Sequence, residues 1–221
     1  MPYLPLVQVH PDIMLGMWKV EETEAWFLSR LNIYENEEQI LESISHRVKR
    51  LEWLSSRLCL KKLLHISHKV ESLNENTGKP YLSDNSFHIS YTHSNLYSGA
   101  IASSHTRVGM DLENLGKKRN IETRKMFMNA AEQNLFDEAG RDLNVFFLIW
   151  SAKETLYKVH GKRGIAFRDN LEIIPSLQGI EQKGTVRGII RENGFAKEYE
   201  VFFQFFPEIL LTFTFDTELL Q

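Results

Sequence analysis

Apolar residues in the first third of the chain recur at strand-like spacing around Val7 and over residues 17–20. They then shift to helical spacing over 23–31 and over a longer stretch from about 37 to 66. Three strand patterns follow, over 87–91, 97–102 and 108–113. In the first, Phe87, Ile89 and Tyr91 share a face; in the last, Met110 and Leu112 point to a core while Asp111 and Glu113 share the opposite face. Asn129 with Glu132 three positions on forms a capping-box-like helix start. A second helix is expected from about Leu143 to Gly161, whose glycine suits the residue after a helix end. The pattern returns to strands at the end of the chain. Tyr199, Val201, Phe203 and Phe205 share one strand face, and Leu211, Phe213 and Phe215 share another. These aromatic alternations read as core. Helices and strands mix without regular alternation, which predicts an α+β fold, and there is no repeat by residue identity and no low-complexity tract.

Two of these elements carry candidate chemistry. Asp111 and Glu113 project from one strand face, while Trp150, Glu154 and Lys158 recur every fourth residue along one helical edge. If that strand packs on that helix, three carboxylates and a lysine converge, a set suited to a hard divalent cation bound to phosphate oxygens. Taken singly, the acidic strand is more often a solvated sheet face than a metal site, and Glu154–Lys158 more often an ordinary surface pair. A third element bears on the choice. Asn76-Thr77-Gly78-Lys79-Pro80 is a turn signature that fixes Lys79 at a bend, and the strand at 87–91 runs into Thr92-His93-Ser94.

Charge and cysteine content narrow the setting. The formal net charge of −3 gives no general reason to expect nucleic acid. The single cysteine, Cys59, lies in an apolar helical run, where burial is expected rather than reactivity. It excludes an intrachain disulfide framework and fits a reducing cytoplasm. The N-terminus lacks a basic flank followed by an apolar core, so no signal peptide is expected. No apolar run approaches the roughly 20 residues that span a bilayer. A cytoplasmic monomer with no membrane contact is expected.

Gly78-Lys79-Pro80, Thr92-His93-Ser94, Gly109-Met110-Asp111-Leu112-Glu113, Phe127 with Glu132, and Trp150-x-x-Lys153-Glu154-x-x-x-Lys158 stand in an order and spacing that resembles the 4′-phosphopantetheinyl transferases of the surfactin-synthetase-activating type. Thr92 departs from the serine usual before the histidine, although its hydroxyl can still donate to phosphate. The resemblance runs from about Arg47 to Gly164, and the last quarter of the chain carries no matching motif. It implies two similar α+β halves in a pseudo-twofold arrangement, with the active site in the cleft between them. A polar turn over 103–106 makes the expected halves 1–104, with coenzyme A phosphate contacts, and 105–221, with the metal and catalytic residues.

The implied reaction transfers the 4′-phosphopantetheine of coenzyme A to a serine of an apo acyl or peptidyl carrier protein and releases adenosine 3′,5′-bisphosphate. Mg²⁺ is the expected metal, with Mn²⁺ as the alternative, held by Asp111, Glu113 and Glu154. Glu154 is the leading base, Glu132 a helper, and Lys158 neutralises or protonates the leaving phosphate. Lys79, Thr92 and His93 are the expected contacts to coenzyme phosphates. Arg50 and Arg57 lie near one stripe with Arg47 and Lys61, which reads either as a further phosphate contact or as a solvated basic face. Lys117, Lys118 and Arg119 directly follow the acidic strand, as a basic loop or as a patch that steers an acidic carrier. The rival functions are a metal-dependent phosphohydrolase and a non-catalytic carrier- or coenzyme-binding module. The cognate carrier, whether of fatty-acid, polyketide or nonribosomal-peptide synthesis, is not encoded in these motifs.

Overall fold

The computed structural model describes residues 3–5, 10–65, 71–174 and 181–216. The chain divides into two compact units, one running up to Val108 and the other from Gly109 onwards. Val7 and Ile66, each within an expected element, lie outside the described residues.

In the first unit a six-stranded sheet has the order β1-β2-β6-β5-β4-β3, with every neighbouring pair antiparallel. The strands are β1 Tyr3–Pro5, β2 Ile13–Lys19, β3 Ser72–Asn74, β4 Pro80–Leu82, β5 His88–Ser94 and β6 Tyr97–Ser103. Helix α1, Glu24–Leu28, is capped by the Thr23 hydroxyl, which accepts from the Trp26 amide. The expected long helix over 37–66 is two helices, α2 Glu35–Ser43 and α3 Arg47–Leu63. The break falls at Ile44 and His46, both in extended backbone; the Leu41 carbonyl accepts from the Ile44 amide, and Arg50 Nη1 donates to the carbonyls of Leu41 and Ile44. Helix α3 packs on the sheet, burying Leu54, Leu58, Cys59 and Leu60 with Trp18, Phe27, Ile89 and Ala100. Burial pushes the Cys59 thiol up to about 12, so the residue is an inert core side chain.

The second unit holds a five-stranded sheet of order β7-β11-β10-β9-β8, with β7 Val108–Asn114, β8 Leu171–Ile174, β9 Lys183–Glu192, β10 Phe195–Phe205 and β11 Ile209–Phe215. Its long helix is α6, Leu143–His160, preceded by α4 Arg124–Phe127 and α5 Ala130–Glu138 and followed by α7 Phe167–Asn170. Both expected helix signals hold. Asn129 and Glu132 form a reciprocal capping box, and Gly161 ends α6 in the left-handed region at φ 71°. Val201 and Phe203 face α6 with Leu210, packing on Phe146, Ile149, Leu156 and Val159. The register pairs Phe202 with Phe213, so Leu211, Phe213 and Phe215 lie on the opposite face, where the rings of Phe202 and Phe213 stack at 5.1 Å. No helix among the described residues is long and apolar enough to cross a membrane.

Candidate active site

The acidic strand does pack on the long helix. A Cβ on Gly109 would stand 2.4 Å from the Thr155 carbonyl oxygen and 2.7 Å from the Val159 amide nitrogen, so only glycine lets β7 approach α6 this closely. The next two residues on that face of β7 are Asp111 and Glu113, both buried. Asp111 Oδ1 accepts from Lys158 Nζ at 2.7 Å, and Oδ2 accepts from the Ser151 hydroxyl at 2.9 Å. Ser151 and Thr155 in turn share hydrogen bonds with Thr212 of β11, at 2.8 and 2.7 Å, which fixes the helix edge to the sheet. Glu113 Oε1 accepts from the Trp150 indole at 2.6 Å, and both its oxygens accept from Arg119 Nη2 at 2.8 Å.

Glu154 lies on the same helix edge, one turn from both Trp150 and Lys158. Burial, then the nearby Asp111 charge, raise its carboxyl to about 7, with Glu113 adding to the rise against the opposing pull of Lys158 and Arg119. Glu113 is also shifted up, by burial and by Asp111. Three carboxyl groups, two buried and one half-buried, thus share two cations, Lys158 and Arg119. That deficit of positive charge, with oxygen donors only, fits a hard divalent cation. No three His, Cys, Asp or Glu side chains among the described residues are positioned to hold a metal ion. Asp111 and Glu113 are turned to Lys158 and Arg119 rather than, with Glu154, to one point.

Glu132 stands apart from this group. It is buried against Lys153, with Oε2 2.7 Å from Nζ and also accepting from the Asn129 amide at 2.8 Å, while Oε1 accepts from the Ile173 amide at 2.7 Å. The Lys153 ammonium also donates to the carbonyls of Phe127, Phe167 and Leu171, at 2.7, 2.9 and 2.6 Å. Burial pushes Glu132 up and Lys153 down, and their close pairing opposes both shifts. This knot ties the α4–α5 junction and the start of β8 to α6 at the residue just before Glu154.

In the first unit, Lys79 follows Gly78, whose φ of 91° makes the β3–β4 turn. Its ammonium is pulled down to about 8 by burial and by the neighbouring Arg107 charge, with Glu75 opposing. His88 is lowered by burial and by the Lys79 and Arg107 charges, so the neutral imidazole lies beside an electropositive pair, Lys79 and Arg107. Thr92 and His93 are successive residues of β5 and project to opposite faces. His93 faces α3, with Nδ1 3.2 Å from the buried Glu52 carboxylate, whereas Thr92 is buried on the other side. Arg50 is bound to Glu24, with Nη2 at 2.5 Å, and to the end of α2. Arg57 is half-buried, stacked 3.5 Å over the Trp53 ring and 3.9 Å from Glu37. Lys117 and Lys118 are exposed, while Arg119 turns inward to Glu113.

The pattern of sequence brought Asp111, Glu113, Glu154 and Lys158 into one neighbourhood. It missed Arg119 as the partner of Glu113, Ser151 and Thr212 behind Asp111, Lys153 beneath Glu132, and Glu52 behind His93. The one available signal was physical: a buried carboxylate demands a nearby cation, and Arg119 is the third of three basic residues in the loop leaving β7.

Residues 107–207 match the family model of the 4′-phosphopantetheinyl transferase superfamily. That segment contains the acidic strand, the capping-box helix and all of α6, the elements that build the site just described. Among curated proteins, no sequence matches the chain. The superfamily match supports phosphopantetheine transfer as the general chemistry.

Proposed function

We propose that the chain transfers 4′-phosphopantetheine from coenzyme A to a serine hydroxyl of an apo carrier protein, as transferases of the surfactin-synthetase-activating type do. The observation that carries this reading is the close packing of β7 on α6, which sets Asp111 against Lys158 and Glu113 against Trp150, with the half-buried Glu154 one helical turn from both helix residues. Asp111, Glu113 and Glu154 would supply the oxygen donors for Mg²⁺, or Mn²⁺ in its place, once their side chains are drawn together from the positions they hold in the metal-free chain. When bound, such an ion neutralises pyrophosphate oxygens and so stabilises the charge that develops on the leaving group.

The chain's own groups do the rest. Glu154 is the base that receives the serine proton as the hydroxyl oxygen attacks the pantetheine-side phosphorus. The new P–O bond forms as the pyrophosphate P–O bond breaks, and the electron pair leaves on adenosine 3′,5′-bisphosphate. Lys158, held by Asp111, supplies positive charge or a proton to that phosphate. Glu132 is a positioning residue in this scheme: with Lys153 it fixes the turn of α6 that carries Glu154. Lys79 and His93 remain the coenzyme phosphate contacts; Thr92 does not, because it is buried on the face of β5 opposite His93, and neither do Arg50 and Arg57, whose guanidinium groups brace the first unit. Carrier steering falls to Lys117 and Lys118. A cytoplasmic setting is in keeping with the single, buried cysteine.

The test is mass spectrometry of several apo-carriers incubated with the chain, coenzyme A and Mg²⁺, with adenosine bisphosphate followed in parallel. The proposal expects carrier serines to gain one phosphopantetheine each, and a chelator to stop the reaction. Release of the bisphosphate without a carrier would indicate a phosphohydrolase. Binding of coenzyme or carrier without turnover would indicate a non-catalytic module.

A further inference from the structure

Glu113 is held by more donors than a metal ligand needs. Arg119 Nη2 reaches both carboxylate oxygens at 2.8 Å, and the Trp150 indole reaches Oε1 at 2.6 Å. Arg119 reaches back six positions from the loop after β7, and its guanidinium lies 5.7 Å from the Trp150 ring centre. The pairing is incomplete on the arginine side. A single nitrogen serves both oxygens, and the buried Nε has no hydrogen-bond partner. A two-nitrogen fork, the strong form of this pair, is not made.

We infer that Arg119 is a displaceable counter-ion for Glu113, and that its competition with a divalent cation sets the metal affinity of the site. The inference rests on the metal reading above and adds a residue that the reading does not use. A guanidinium cannot lose its charge near neutral pH, so it cannot make way for a cation by deprotonating. It can only move, because two cationic centres on the same carboxylate oxygens repel. The contact leaves room for movement: the side chain of Arg119 is 25 % exposed while that of Glu113 is 10 % exposed. Departure of Arg119 also offers its stranded Nε a hydrogen bond to water. Lys158 differs, because it sits on Asp111 within the rigid α6 helix and belongs to the proposed chemistry. Arg119 therefore holds Glu113 in the metal-free protein and yields it on loading. Trp150 stays as the neutral donor that keeps the carboxylate oriented.

The test is Mn²⁺ binding to the metal-stripped full chain, without coenzyme or carrier, by electron paramagnetic resonance and calorimetry. Arg119→Ala and Arg119→Gln are each expected to bind Mn²⁺ about tenfold more tightly than the unmodified chain, the effect of losing one competing charged contact. Circular dichroism checks that both variants are folded. Adding Glu113→Gln to Arg119→Ala should erase the gain, because the competition is for that carboxylate. Equal or weaker Mn²⁺ binding in both folded arginine variants overturns the inference and makes Arg119 a residue that positions Glu113. A gain that persists without Glu113 overturns it too, since that effect would be general electrostatics. If neither the unmodified chain nor any variant binds Mn²⁺, the metal reading itself fails.

Discussion

Glu154 has an environment that favours its neutral form, and this has a consequence for stability that does not depend on any substrate. Its carboxyl is raised from 4.5 to about 7, by burial first and then by Asp111. Between those values the folded chain keeps a proton that the unfolded chain releases. Stability of the metal-free protein therefore falls as pH rises from about 4.5 to about 7, then levels. At about 1.4 kcal/mol per pK unit, the group accounts for a loss on the order of 3 kcal/mol. Denaturant unfolding at about pH 5 and about pH 8 should show this loss shrinking in Glu154→Gln. Glu113 and Glu132 shift in the same direction and leave a residual slope. An unchanged pH dependence in Glu154→Gln would mean that Glu154 ionises as an ordinary exposed carboxylate. At this scale the acidic residues and Lys158 were legible from alternation and helical spacing. Their partners were not, because Ser151–Asp111 and Trp150–Glu113 are contacts across about forty positions, which no local period encodes.

Among the elements, β7 and α6 decide the site, and Gly109 decides how they meet. A methyl group there would collide with backbone atoms of Thr155 and Val159, which cannot swing aside as a side chain can. Gly109→Ala must therefore push β7 off the helix and carry Asp111 away from Lys158 and Ser151. The expected cost is about 1–3 kcal/mol in chemical denaturation, with transfer activity lost beyond the unfolded fraction. Stability equal to that of the unmodified chain would show that the two elements do not pack this closely. Signals written in a few adjacent residues were read correctly: the Asn129–Glu132 box, the Gly161 stop and the Gly78 turn. The single helix expected over 37–66 failed for a tertiary reason. Arg50, from the helix that follows, binds the carbonyls at the end of α2 and supports a break that apolar spacing alone does not mark.

For the whole molecule, the division into two α+β units was an implication of the resemblance, whereas composition gave only a chain long enough for one domain or two. Each unit has an antiparallel sheet with one long helix on it, α3 in the first and α6 in the second. Lys117 and Lys118 bear on encounter with a second protein. Reversing both to Glu should lower kcat/KM for an acidic carrier and leave the KM for coenzyme A nearly unchanged. The defect should fade as salt rises, since exposed charges are screened over about 10 Å at 0.1 M. A wild-type rate in low salt would reduce the pair to a solvated loop.

The central claim is that the carboxyl cluster on β7 and α6 performs phosphopantetheinyl transfer. It is tested most directly by intact-protein mass spectrometry of an apo-carrier treated with coenzyme A and Mg²⁺, using the unmodified chain and Glu154→Gln at matched folded fractions. Glutamine keeps the shape of the side chain and removes its charge and basicity, so the rate should fall by about 10²–10⁴-fold, the usual worth of a positioned general base. Conversion by folded Glu154→Gln at the unmodified rate would contradict the claim.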